Sequence, residues 1–153
     1  MKISILSVGR PRNTHCASLA EGYLRWIQPF FPAELQWVPE GKDPSPARRV
    51  EREGQDILKR IRERDYAIVL DERGSQYDSP SFAQWFSGRL SGAEGRVVLV
   101  VGGGFGLDGS VRQRGDALLS LSCMTLPHEL CLVVLLEQIY RACTLIRGIE
   151  YHH

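Results

Sequence analysis

This 153-residue chain lacks the features that mark secreted and membrane-spanning proteins. Its longest apolar stretch, Leu130 to Leu136, is far shorter than the roughly 20 residues needed to cross a bilayer. Residues 1–10 contain no apolar core followed by a cleavage site, so we expect no signal peptide. The four cysteines show no CxxC spacing, and three lie in apolar runs, which is typical of buried, reduced thiols. We therefore expect a cytoplasmic protein with no disulfide and no metal site.

An excess of charge of one sign is also missing, since the formal net charge is only +1. A balance this small does not by itself indicate a nucleic-acid partner. The charges are unevenly spread, however. Residues 1–65 carry 12 Lys and Arg against 9 Asp and Glu, whereas residues 66–138 carry 5 against 8. A polyanion would therefore be expected to bind the first half of the chain and its C-terminal end.

The composition that remains is that of a globular protein, with 43% hydrophobic and 24% charged residues. A chain of this length buries roughly 70% of its unfolded surface, which is enough for one core. The sequence contains no internal repeat and no low-complexity segment. We expect a single domain over residues 1–153.

Strand patterns alternate with helix patterns along the whole chain. The predicted strands cover residues 2–8, 34–39, 66–71, 96–101 and 119–126. The predicted helices cover residues 14–31, 46–64, 79–90, 110–118 and 130–146, with Asn13 or Thr14 capping the first, Ser79 capping the third and Gly148 ending the last. This alternation predicts an α/β fold with a mostly parallel sheet and helices on both of its faces.

Ligands bind such sheets beyond the carboxyl ends of the strands, and three strand ends here are unusual. Leu70–Ser75 is a polar segment that an ordinary solvated turn would also explain. Gly102–Gly106 has four glycines in five residues, which favours close approach of a ligand to the backbone. Ser120–Pro127 mixes small polar and apolar residues, so its free amides could hold a flat ring such as adenine. A buried edge strand is the alternative for this last segment.

Other motifs for chemistry are weak or missing. Gly104–Gly109 matches GxGxxG, but it follows a late strand and no acidic residue ends the next strand. A nicotinamide-dependent oxidoreductase is therefore a minor hypothesis. His128 could be a base, a ligand or a structural residue, and it has no partner pair for zinc. The GxSxG motif and the P-loop motif are both missing, so serine hydrolases and nucleoside triphosphatases lack their sequence signals.

Several short motifs in a fixed order make the sequence similar to a known family. They are Lys2–Gly9, Leu70-Asp71 with Gly74, Ser79 with Phe82-Ala83, Gly102-Gly103 with Gly106, Leu121–His128, Glu137-Gln138 with Tyr140–Ala142, and Gly148 with Tyr151-His152. Together they resemble the RlmH family, the SPOUT-class methyltransferases that modify a pseudouridine of 23S ribosomal RNA. The resemblance covers essentially the whole chain.

The resemblance implies a SPOUT-type fold with a C-terminal trefoil knot, a homodimer, and S-adenosyl-L-methionine (SAM) as cofactor. The residues it assigns to the cofactor are Leu70, Gly102, Leu121, Ser122, Cys123, Met124, Thr125 and Leu126. Those it assigns to the RNA are Arg141, Tyr151, His152 and His153, with the tail reaching the site of the partner subunit. His128 and His152 are the candidates for the catalytic base.

The implied reaction is methylation of N3 of a pseudouridine in helix 69 of 23S rRNA, in the large subunit or the assembled ribosome. One position departs from the family, because Leu132 stands where an arginine is usual. The missing cation puts in doubt one contact, to the partner subunit or to an RNA phosphate. A non-catalytic ribosome-binding factor is therefore kept as an alternative.

Overall fold

A computed structural model describes residues 2–153 and contains one five-stranded sheet. The strands are β1 (Ile3–Val8), β2 (Ala33–Val38), β3 (Tyr66–Ser75), β4 (Val97–Val101) and β5 (Ala117–Leu119). Their order across the sheet is β2-β1-β4-β3-β5, and every neighbouring pair is parallel. The expected parallel sheet is confirmed.

Five helices cover the sheet on both faces. They are α1 (Thr14–Ile27), α2 (Pro46–Leu58), α3 (Ser79–Gly92), α4 (Gly109–Arg114) and α5 (His128–Arg147). Helices α1, α3 and α5 share the larger core cluster with one face of the sheet, and α2 and α4 share the smaller cluster with the other. Adjacent residues of a strand point to opposite faces, so β4 places Leu99 in the first cluster and Val100 in the second. The α/β expectation is confirmed.

The predicted helix boundaries hold where a local signal sets them. The Asn13 side chain accepts the backbone N–H of His15 at 2.9 Å, which caps α1 as predicted. Gly148 ends α5 in the left-handed conformation with φ of 67°. Asp78, rather than Ser79, caps α3 by accepting the N–H of Ser81 at 2.8 Å.

Three helices end earlier than predicted, and one of them is α4, which ends at Arg114 rather than near residue 118. Helix α1 ends at Ile27 rather than near residue 31, because Pro29 has no N–H to donate to the carbonyl of Arg25, four residues earlier. Helix α2 ends at Leu58 rather than near residue 64. There the Asp65 carboxylate accepts the N–H of Arg62 at 2.9 Å and so replaces the bond that a longer helix would make.

The predicted last strand was wrong in extent. Strand β5 covers only Ala117–Leu119, and residues 121–126 form no regular structure. The backbone N–H of Ala67 donates to the Asp116 carboxylate, which brings the chain into the sheet two residues earlier than predicted. The neighbouring β3 runs on to Ser75, but its pairing with β5 is irregular between Leu70 and Ser75. The segment after Leu119 is thus left without a regular strand partner.

Across residues 2–153, no helix is long and apolar enough to cross a membrane.

Candidate active site

A cavity of about 420 Å³, called here the central cavity, lies at the carboxyl ends of β3, β4 and β5. Three chain segments line it, namely residues 70–73, residues 101–107 without Phe105 and residues 119–126 without Cys123, together with Arg112, His128 and Cys131. The predicted cofactor residues that line it are Leu70, Gly102, Leu121, Ser122, Met124, Thr125 and Leu126. Cys123 does not line it; its Sγ lies instead 3.0 Å from Gln76 Nε2. The structure therefore brings together most of the residues that were expected to share one ligand.

The glycine loop forms one wall of the central cavity by tight backbone packing. The N–H of Gly106 donates to the carbonyl of Gly103 at 3.1 Å, and Gly106 has φ of 84°, which favours glycine. A Cβ added at Gly102 would lie 2.8 Å from Leu107 Cγ. The loop can therefore keep this path only with a glycine at position 102.

The opposite wall is the irregular segment of residues 121–126. The Ser122 hydroxyl accepts the N–H of Met124 at 3.0 Å, and the Ser122 carbonyl accepts the Ser120 hydroxyl at 3.0 Å. These local bonds hold the segment open without a strand partner. Its main-chain groups are therefore available to a ligand, which agrees with the expectation of a backbone-lined site.

Asp71 forms a charged cluster at the edge of the central cavity. Its side chain is only 4% exposed and is hydrogen-bonded by Arg73 and Arg112. Burial would raise the pKa of Asp71, but the hydrogen bonds from the two arginines outweigh burial and lower the pKa well below its usual range. The alternative that Asp71 is solvated in an ordinary turn was wrong. Arg112 lies 41 positions away in the chain, so no local pattern indicated it.

A second cavity of about 260 Å³, called here the side cavity, adjoins the central one. His128, Gly103 and Gly104 line both cavities. The side cavity is completed by Arg12, Glu40, Gly41, Arg49, Glu53, Phe105 and Glu129. His128 thus stands where two ligand groups could meet. Within residues 2–153 no cluster of His, Cys, Asp or Glu has a metal-binding arrangement.

Glu53 is the unusual residue of the side cavity. It is 6% exposed, and its Oε2 atom has no hydrogen-bond partner among residues 2–153. Burial, together with the negative charge of Glu40, raises the pKa of Glu53. The sequence analysis missed this residue. A signal was present, because Glu53 lies between Val50 and Ile57 on the apolar stripe of α2.

The C-terminal tail, residues 149–153, folds back on α5 of its own chain. Arg141 donates to Glu137 at 2.6 Å, and its guanidinium carbon lies 4.8 Å from the ring centroid of Tyr151. The Tyr151 hydroxyl also donates to Glu137, and burial and this carboxylate raise the pKa of Tyr151 to about 12. His152 lies 3.1 Å from Arg141, and His153 is exposed.

Within one chain the C-terminal tail does not reach either of the two cavities that His128 lines. His152 lines a third cavity, of about 530 Å³, together with Tyr77, Ser79 and Gln138. This third cavity and the central one share the wall formed by residues 119–121. The two histidines predicted as candidate bases therefore occupy different cavities of a single chain.

Leu132, the departure from the family pattern, is 1% exposed and belongs to the larger core cluster. An aliphatic side chain suits this position, since its burial is favourable. All four cysteines are free, but only Cys143 is buried; Cys123 is exposed, so the expectation of a buried thiol was wrong there. Burial raises the pKa of Cys131 to about 11 and that of Cys143 to about 12, so neither thiol is readily ionised.

Comparison with known proteins places this geometry in a class. A family model described as "Predicted SPOUT methyltransferase" matches residues 1–152. A crystal structure of a probable methyltransferase from Bordetella pertussis Tohama I has a similar fold, with a TM-score of 0.55 and 16% identity over 93% of each chain. The chain therefore belongs to the SPOUT methyltransferases, a family that implies a methyl donor.

Curated relatives refine this assignment. The ribosomal RNA large subunit methyltransferase H of Desulfovibrio desulfuricans is 44% identical over 149 residues, covering 97% of this chain and 95% of that protein. The protein of the same name from Solidesulfovibrio magneticus is 38% identical over 151 residues, covering 99% and 98%. Within the SPOUT methyltransferases the chain belongs to the RlmH family, and the resemblance stated from the sequence is confirmed.

Proposed function

We propose that this protein is a SAM-dependent methyltransferase that acts on N3 of a pseudouridine in 23S ribosomal RNA, in helix 69. The observation that carries the proposal is the central cavity, whose backbone-lined walls lie in a chain of the RlmH family. A volume of about 420 Å³ lies within the range of small-molecule sites, roughly 300–1,000 Å³. Because the substrate is ribosomal, we propose that the protein acts in the cytoplasm.

The two walls of the central cavity would hold the cofactor in different ways. Gly102 lets the backbone approach closely, Leu70 adds an apolar contact, and residues 121–126 offer main-chain groups to a flat adenine ring. When bound, SAM supplies a methyl group already activated by its sulfonium. The protein must then mainly align the nucleophilic nitrogen with that methyl group.

His128 is the base we propose for the N3 proton of the imide. It lines both the central cavity and the side cavity, so it stands between the methyl donor and the base to be methylated. The imidazole would take the N3 proton, which would leave the nitrogen ready to accept the methyl group that SAM would supply. His152 would take part only from a partner subunit, since in its own chain it lines another cavity.

The structure weakens the arguments for the two alternative functions, a ribosome-binding factor and an oxidoreductase. The ribosome-binding factor without activity was motivated by the basic first half of the chain and by the missing arginine; the first is equally expected of an enzyme that binds RNA, and Leu132 is a core residue here. The oxidoreductase was motivated by Gly104–Gly109 alone, and that segment belongs to the loop between β4 and α4 of a SPOUT fold. We propose a single SPOUT domain over residues 1–153, with a knot formed by the segments that meet at the central cavity.

The RNA would be positioned by cations around the cavities. Arg12 is largely exposed and pairs with Glu40 at 3.1 Å beside the side cavity. Arg141 contacts both Glu137 and Tyr151 and so holds the tail in place. We propose that it positions the tail for the RNA and also binds an RNA phosphate. Phosphate contacts of this kind position an RNA without selecting its sequence.

A homodimer is supported by an aromatic patch on α1 and α5. Trp26 is 54% exposed and its ring centroid lies 5.4 Å from that of Tyr140. Leu19 lies two helical turns before Trp26 on the same side of α1 and is 48% exposed. Tyr151 of the tail contacts Tyr140 at 4.8 Å between centroids, so burial of this patch by a second copy would bring the tail close to the partner.

Placing a charge on this patch is expected to separate the subunits. In the Trp26→Asp variant a desolvated carboxylate would face the apolar surface of the partner, so the dimer dissociation constant should rise at least roughly 100-fold. Sedimentation velocity over a range of concentrations measures this. Gln84→Asp, an exposed position on α3, is the matched control and should remain dimeric. Dimers of unchanged affinity in Trp26→Asp would place the interface elsewhere.

Methyl transfer itself is the direct test of the function. Ribosomes from a strain lacking this modification, incubated with the protein and labelled SAM, should gain label at one pseudouridine of 23S rRNA. Parallel reactions with free 23S rRNA show whether the assembled ribosome is required. Absence of transfer to either substrate, by protein that is folded and binds SAM in a calorimeter, would refute the proposed activity.

A further inference from the structure

The side cavity holds a carboxylate that no step above uses. Glu53 is more than nine-tenths buried, its Oε2 atom is unpartnered, and it lines the side cavity. A buried polar atom left without a hydrogen bond costs free energy, so such an atom in a cavity suggests a donor that arrives with a ligand. Glycine at position 103 lies beside this carboxylate, since a Cβ there would lie 3.4 Å from both Glu53 oxygens.

The rest of the side cavity suits a nucleobase. Phe105 is 60% exposed at its rim, and the Arg49 guanidinium carbon lies 5.7 Å from the Phe105 ring centroid. Exposed aromatic rings stack on unpaired bases, and arginines take part in such stacks. A volume of about 260 Å³ has room for one pyrimidine. His128 joins this cavity to the central one.

Pseudouridine and uridine differ in one group on the edge of the ring, and a carboxylate such as that of Glu53 could form a hydrogen bond with this group in only one of the two bases. When the two bases are superimposed on the ribose bond, N3 takes the same place in both. The N1–H of pseudouridine then takes the place of the C5–H of uridine. A carboxylate accepts a hydrogen bond from N1–H, whereas C5–H leaves it unpaired.

We propose that Glu53 selects pseudouridine over uridine by accepting a hydrogen bond from N1–H of the target base, while N3 faces the central cavity. This inference rests on the proposed function, because it concerns the base that receives the methyl group. Sites built to accept an N–H reject the analogue that lacks it, since the buried acceptor is then left unpaired. Glu53 is in this account a specificity residue and takes no proton from N3.

The test compares methyl transfer to ribosomes that carry either pseudouridine or uridine at the target position. We expect the wild-type kcat/KM to favour pseudouridine roughly 10- to 100-fold, the effect of one hydrogen bond to a charged group. In Glu53→Leu the rate on pseudouridine should fall by about that factor, with the rate on uridine unchanged. Glu53→Gln, which keeps an amide oxygen as acceptor, should restore part of the preference. Glu51→Leu, at an exposed position of the same helix, should behave as wild type.

The outcomes separate this inference from the function on which it rests. If Glu53→Leu lowered kcat/KM equally for pseudouridine and uridine, the inference would be overturned. Uridine has no N1–H, so an equal loss would mean that Glu53 acts on something that the two bases share, such as N3–H. An unchanged preference in Glu53→Leu, or no preference in the wild type, would also overturn it. If the wild type transfers no methyl group to either ribosome, the proposed function itself fails. Glu53→Leu should melt no lower than wild type, since an apolar group replaces an unpartnered one.

Discussion

Gly102→Val is expected to weaken SAM binding at least roughly 100-fold while the protein remains folded. A Cβ at this position would lie 2.8 Å from Leu107 Cγ and 3.2 Å from the Gly106 carbonyl oxygen. Both neighbours belong to the glycine loop, so the loop must move away from position 102. Because that loop is one wall of the central cavity, its displacement narrows the space for the cofactor.

Isothermal titration calorimetry with SAM measures this effect, and circular dichroism checks the fold. Gly88→Val is the matched control, because a Cβ at Gly88 meets no atom within 4 Å on the surface of α3. Gly102→Ala is a milder variant in case valine prevents folding. Near-native affinity in a folded Gly102 variant would show that the loop is not part of the cofactor site.

Asp65→Ala is expected to lower the free energy of unfolding by about 3–5 kcal/mol, the cost of breaking a buried ion pair. The Asp65 carboxylate is buried and accepts from the Arg96 guanidinium at 2.7 Å and from the Arg96 backbone N–H at 3.0 Å. Its loss leaves the Arg96 cation, only 11% exposed, with Glu34 at 3.3 Å as its remaining acidic partner. Total stabilities are about 5–15 kcal/mol, so this loss is large.

Urea unfolding at pH 7 measures the loss, with Glu94→Ala as an exposed control expected to change stability by less than about 0.5 kcal/mol. Asp65 lies at the opposite end of the sheet from the central cavity, so methyl transfer per folded molecule should be unchanged. If the free energy of unfolding fell by less than about 1 kcal/mol, the Asp65–Arg96 ion pair would contribute no more than an exposed one, with water solvating Arg96 in its place.

The pH dependence of this difference has a definite sign. Burial would raise the pKa of Asp65, but the hydrogen bonds from Arg96 and from backbone N–H groups outweigh burial and lower it. The stabilisation is therefore fully present above the unfolded pKa, about 3.9, and is lost as the pH falls through the lower folded pKa. Unfolding curves of wild type and Asp65→Ala should accordingly converge below about pH 4.

Much of the fold could be predicted because its signals are local. Asn13 and Gly148 mark helix ends through their own side chain or backbone freedom, and the structure places both as expected. The predicted bounds were wrong where a residue far away in the chain determines where a strand begins or a helix ends. Asp116 turns the chain into the sheet by bonding to Ala67, 49 positions away, and Asp65 ends α2 by accepting an N–H that the helix would use.

The candidate site was likewise predicted only in part from the sequence. Composition indicated the glycine loop, whereas residues 121–126 were assigned by the family resemblance, and both segments line the central cavity. Arg112 and Glu53 were not found, since each matters only through a neighbour from another element. His152 was expected to reach the RNA site of the partner subunit, and within a single chain it lies in a cavity separate from the central one.

The amino-acid sequence by itself determined which segments form strands and helices, and the family to which the chain belongs, since apolar period, caps and ordered motifs are properties of the linear chain. Only the tertiary structure decided which charges are buried. The strand order β2-β1-β4-β3-β5 sets α2 beside the loop after β4 and thereby places Glu53 against Gly103. Burial depends on atoms from several elements at once, and no single segment encodes that arrangement.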